Sequence, residues 1–220
     1  TLSDKGFNTL RRIMISINND SPKLLESIKS IDLQNELIYE TTQTNVAASA
    51  QSRGRVFIQG HKLSETNDKE IRGSLVHEII HLKHFEIENL TEDSDVLLYE
   101  YSVEDYLEKR EYSWRGKMQL SSFTRKWLDI SGDNYKKDCF LQDNHCYHWK
   151  DGKDGPRNGF IEAYGATSIF EDIAKITEAG YSDQNRLKGI AKQDDKIRQK
   201  VALLCEYGFF EGKTKNEICN

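Results

Sequence analysis

Apolar positions recur at helical spacing from Lys5 to Ile17 and again from Pro22 to Ile31, so the chain is predicted to open with a helical pair, Ser21 capping the second member. Two short β-rich runs bounded by turn residues follow, "ELIYE" at Glu36 to Glu40 and "GRVFIQ" at Gly54 to Gln59. The next segment is apolar on almost every side: Leu75, Val76, Ile79, Ile80 and Leu82 mark a buried helix, with Asn67 or Asp68 as its N-cap. Further helical stretches are expected at Val96 to Arg115, Ser121 to Ile130, Ile169 to Gly180 and Asp194 to Tyr207. The run "KDGKDGPRN", Lys150 to Asn158, reads as a surface loop. The pattern therefore predicts an α+β class, mostly helical, with a small sheet before the buried helix.

Composition narrows the picture. The 220 residues suit one domain spanning 1–220, and with 30% charged residues and no run of 18 apolar ones, no membrane span is expected. A net charge of −5, with the basic residues scattered, argues against a nucleic-acid partner. Of the four cysteines, Cys139 and Cys146 form one sequence-local pair and Cys205 and Cys219 another. Bridging them would place the protein outside the cytosol, and the start at Thr1, without methionine or signal peptide, accords with a mature secreted form. Two other readings are four reduced buried thiols, or a structural zinc site built from Cys139, His145, Cys146 and His148.

Three of the six histidines fall within eight residues of the buried helix. His77, Glu78 and His81 spell H-E-x-x-H. Residues four apart lie on one helix face, so two imidazoles can hold one metal ion between them. A carboxylate beside that ion can take a proton from water and pass it to a leaving amine. A single histidine on an apolar face is usually a satisfied core residue, but this joint pattern arises by chance in a chain of such composition on the order of one time in a hundred.

A catalytic zinc takes three protein ligands and leaves a position open. His84 lies one turn too far along a straight helix axis to meet the same ion, and is read as a residue beside the site or on the surface. Two glutamates compete for the third place. Glu100 follows His81 after eighteen intervening residues, in a segment rich in acidic residues, where a solvated helix face is the plain alternative; Glu171 lies in "GFIEAYGATSIFEDIAKITE".

The blocks "HEIIHLKH" and "GFIEAYGATSIFEDIAK", with "DISGDNY" between them, resemble zinc metallopeptidases of the gluzincin group and the zinc domain of lethal-factor-like toxins. The resemblance runs from Gly54 to about Glu178 and is specific in the two motif blocks. It implies a zincin-like domain in which His77, His81 and Glu171 bind Zn2+, Glu78 is the general base and Tyr164 donates a hydroxyl to the oxyanion. The family carries glutamate where this chain has Lys175, so the supporting role of that position is expected to be lost or to move, to Asp172, which could accept a histidine N–H. The expected activity is hydrolysis of a peptide or protein substrate by a monomer, with water as nucleophile. The alternatives are a zinc-binding recognition domain that cleaves little, and a structural helix with fortuitous histidines.

Overall fold

The structure, a computed structural model, describes residues 4–34, 48–65, 67–92, 119–132 and 155–220, together with residues 38, 39, 44, 45, 95, 96, 99, 103 and 106. Helix α1 (Asp4–Asp20) turns Gly6, Thr9, Ile13 and Ile17 inward, a stripe of three- and four-residue steps. The second predicted helix does not form. Pro22 opens only a 3-10 segment, Pro22–Ser27, after which Ile28 is extended and strand β1 (Ser30–Gln34) begins. The short buried stripe, Leu24 and Ser27, is outweighed by a five-residue ladder that pairs the backbone from Ser30 onward. Ser21 stands at the N-cap position without a side-chain cap bond; its hydroxyl donates to the Glu211 carbonyl at 3.2 Å.

Strand β5 (Arg55–Gln59) is the middle of a three-stranded sheet in the order β1-β5-β4. It runs parallel to β1, with Ser30 opposite Arg55, and antiparallel to β4 (Ala48–Gln51), with Ala50 opposite Val56. The β4–β5 turn passes through Arg53 and Gly54, both at positive φ; a Cβ on Gly54 would stand 2.7 Å from the Ser27 carbonyl oxygen, so glycine is required there. Strands β2 (Ile38–Tyr39) and β3 (Thr44–Asn45) form a separate antiparallel ladder.

After the short α2 (Lys62–Glu65) comes α3 (Asp68–Ile87), the centre of the molecule. Asn67 caps it by accepting the Glu70 N–H at 2.9 Å. Its apolar residues are spread around the axis because it is enclosed by α1, the 3-10 segment, β4, β5 and α5 (Ile169–Ser182). Helix α4 (Ser122–Ser131) packs on α7 (Asp195–Glu206), and α6 (Gln184–Gln193) and α8 (Gly212–Ile218) complete the C-terminal layer. Ser121, Ser168, Asp183 and Asp194 each cap a helix by accepting the N–H three residues on. The fold is α+β and mostly helical, with its sheet preceding α3.

The expected strand at Gly54 to Gln59 and the helices at Ser121, Ile169 and Asp194 are present within a residue or two of their predicted bounds. Strands β1 and β4 and helices α6 and α8 were not anticipated. The stretch Val96 to Arg115 is described only at Val96, Tyr99, Val103 and Tyr106, all helical, with Tyr99 and Val103 buried. A disulfide joins Cys205 to Cys219, Cα atoms 5.7 Å apart, tying the end of α7 to the end of α8. Cys139, His145, Cys146 and His148 lie outside the described residues, and so does Glu100. No helix among the described residues is long and apolar enough to cross a membrane.

Candidate metal centre

His77 and His81 sit one turn apart on α3, nine-tenths buried, with ring centroids 4.7 Å apart and ring planes nearly perpendicular. Together with Glu78 they form a buried group whose ligand atoms all lie within 4.8 Å of one another. The first turn of α5 faces them. Glu171 Oε2 is 2.9 Å from His77 Nε2, and its Oε1 is 3.7 Å from His81 Nε2. Two elements ninety-four residues apart in sequence thus bring two imidazole nitrogens to one carboxylate. Ser168 sets that carboxylate's place by capping α5 through the Glu171 N–H at 3.2 Å.

Tyr164 stands in a 3-10 turn, Tyr164–Ala166, that packs on α5. Its hydroxyl donates to Glu171, and its ring lies 6.1 Å from that of His77. Glu78 points from the same helix toward the sheet and accepts the backbone N–H of Ala50 on β4.

The charges are strongly coupled. Burial alone would depress His77, but Glu171 and Glu178 overcome it and raise its pKa to about 10, so an imidazolium bridges two carboxylates. Burial opposes ionisation of Glu171 as well, yet His81, His77 and the Tyr164 hydroxyl hold it down at about 2. His81 is lowered to about 4, chiefly by burial, and is neutral at pH 7. Burial pushes Glu78 up to about 7, with His77 opposing.

Asp172, expected beside a ligand histidine, is turned elsewhere. Its Oδ2 accepts Trp127 Nε1–H at 3.0 Å and Lys200 Nζ at 2.6 Å, deep between α5, α4 and α7. The carboxylate against His77 is Glu178, whose Oε2 is 3.2 Å from Nδ1. Lys175, one turn before it, contacts both Glu178 and Glu162 at 2.8 Å. The sequence offered one signal for this: Glu171, Lys175 and Glu178 follow a four- and three-residue step and share a helix face. His84 is neither at the surface nor in contact with the His77, Glu78 and His81 group. It is fully buried, with Nε2 3.0 Å from the Tyr99 hydroxyl and 3.4 Å from Thr124 Oγ1.

No protein-family model, curated protein or solved structure matches the chain.

The donor set suits a borderline divalent ion such as zinc. Two imidazoles and a carboxylate are typical zinc donors, and both ring Nε2 atoms are directed at Glu171.

Proposed function

We propose that the chain is a zinc metallopeptidase of gluzincin type, in which His77, His81 and Glu171 hold the ion and Glu78 acts as general base. The observation that carries this reading is the convergence of His77 Nε2 and His81 Nε2 on the Glu171 carboxylate, with a second buried carboxylate, Glu78, one residue along. The resemblance of the two motif blocks supports the same assignment. Glu171 is the ligand of this reading because its oxygens lie 2.9 and 3.7 Å from the two Nε2 atoms, while Glu78, whose carboxylate is also within 4.8 Å of both rings, accepts the Ala50 N–H.

A bound zinc ion supplies Lewis acidity toward a water and a peptide carbonyl. The chain's own residues do the rest. Glu78, with a pKa near neutrality from burial, takes a proton from the attacking water and returns it to the leaving amine. Tyr164, whose single hydroxyl proton is donated to Glu171 in the free chain, would turn that proton to the carbonyl oxygen as negative charge develops there. Among the described residues β4 is an outer strand of its sheet, and the Ala50 N–H points from it to Glu78. An extended peptide laid along this strand would bring its backbone to the base. The Cys205–Cys219 disulfide supports an oxidising, extracytoplasmic setting.

The test is Glu78→Gln. Metal analysis is expected to find about one zinc per chain in both proteins, while cleavage of a peptide library falls by about three decades in the variant. Unchanged turnover would end the mechanism; zinc without cleavage in the wild type would leave a recognition domain.

A further inference from the structure

The zinc reading assigns His77 as a ligand but does not say what holds its ring. We infer that Gly73 and Glu178 form a notch-and-carboxylate pair that positions His77, with Lys175 securing the carboxylate from outside. The inference rests on the zinc reading and extends it to residues that take no ligand role themselves.

The geometry is specific. Gly73 lies on α3 one turn before His77, and a Cβ built on it would stand 3.1 Å from Glu178 Oε1 and within 4 Å of that side chain's Cδ and Cγ. The carboxylate therefore lies directly against the space a side chain at 73 would take, closer than a Cβ ordinarily allows. From there Oε2 meets His77 Nδ1 at 3.2 Å, and the same oxygen accepts Lys175 Nζ at 2.8 Å. Lys175 is held in turn by Glu162 at 2.8 Å. With Nδ1–H donated to Glu178, the other nitrogen, Nε2, is directed at Glu171. A carboxylate on the far nitrogen of a ligand histidine fixes the ring's tautomer and orientation and raises its basicity. A glycine inside a helix otherwise costs stability relative to alanine, so its presence at 73 calls for a local reason, and room for Glu178 is one.

Two variants test this, with Glu178→Gln keeping the side-chain shape and an acceptor oxygen while removing the charge. Gly73→Ala leaves every polar group in place, improves helix propensity and displaces the carboxylate by a few tenths of an ångström. Three measurements are made on each: zinc affinity by competition with a chromogenic chelator, the visible absorption of the cobalt-substituted protein, and melting of the metal-free protein. Both variants are expected to melt cooperatively, to bind zinc about 10- to 100-fold more weakly than wild type, and to shift the cobalt bands. Glu178→Asp in the Gly73→Ala background, being shorter, is expected to recover part of the affinity. Wild-type zinc affinity and cobalt spectra in both single variants would overturn the inference and leave the zinc reading standing. Failure of the wild type to take up zinc would overturn both.

Discussion

At the scale of single residues, the site holds a proton where the proposed ion would sit. In the metal-free chain His77 donates from both nitrogens, to Glu171 and to Glu178, and keeps its proton up to about pH 10. Zinc needs the Nε2 lone pair, so its binding must release that proton. Glu78, at about 7, is largely ionised above neutrality, and His81, at about 4, is already neutral. Between about pH 7.5 and 9, His77 is thus the main source of protons released. Apparent zinc affinity is expected to rise about tenfold per pH unit in that window, with about one proton released per ion bound. Calorimetric titration in buffers of different ionisation enthalpy measures the release directly. An affinity independent of pH across the window would show that His77 is not a ligand or that its carboxylate partners do not hold it protonated.

At the scale of elements, the metal helix was the most legible part of the sequence and its partners the least. H-E-x-x-H announces itself because both imidazoles lie on one helix and the spacing alone defines the face. The carboxylates that complete the site come from ninety-four and a hundred and one residues away, and no local periodicity reports such a distance. Glu171 was reached only through the resemblance of its motif. Glu178 lay in the same stretch of sequence, but its role depends on Gly73 facing it across the α3–α5 contact. Asp172, the candidate for that role once Lys175 replaces the family's glutamate, follows Glu171 directly, and on a helix the next residue points about 100° away, here toward Trp127 and Lys200. Strand β1 escaped notice because "SPKLLESIKSIDL" carries leucines and isoleucines at helical spacing, while the parallel ladder with β5 is a long-range preference. The C-terminal layer shows the opposite balance. Its α7–α8 connection is closed by Cys205 and Cys219, fourteen residues apart, and Lys83 reaches from α3 to Glu211 at 2.9 Å and to the Gly208 carbonyl. Opening a loop of that length is expected to cost about 3 kcal/mol of unfolding free energy. Denaturant unfolding of the double variant Cys205→Ser, Cys219→Ser against wild type measures it, and a midpoint unchanged by the substitutions would mean that α8 is held by its packing alone.

At the scale of the whole molecule, the proposed ion would tie its two central helices together. α3 brings His77 and His81 and α5 brings Glu171; beside them the helices meet through Glu178 on His77 at 3.2 Å and Arg72 on the Tyr181 carbonyl at 2.9 Å, with Val76, Ile80, Ile173 and Ile176 among the buried residues of the one core. A ligand that binds only the folded chain stabilises it by mass action, so zinc content and melting temperature should move together. This separates the two glutamates that compete in the sequence. Removing a carboxylate that binds the ion weakens binding by orders of magnitude and withdraws the linked stability, whereas removing a surface glutamate changes stability by less than about 0.5 kcal/mol. Glu171→Ala is therefore expected to purify largely metal-free and inactive, to melt below wild type, and to regain part of the difference in excess zinc. Glu100→Ala is expected to stay zinc-loaded and active. Chelation gives the control: stripped wild-type protein should melt lower, while stripping should hardly move Glu171→Ala. Zinc lost from Glu100→Ala and kept in Glu171→Ala would assign the third ligand to the eighteen-residue spacing instead, and would leave Glu171 as a carboxylate that merely holds a buried imidazolium.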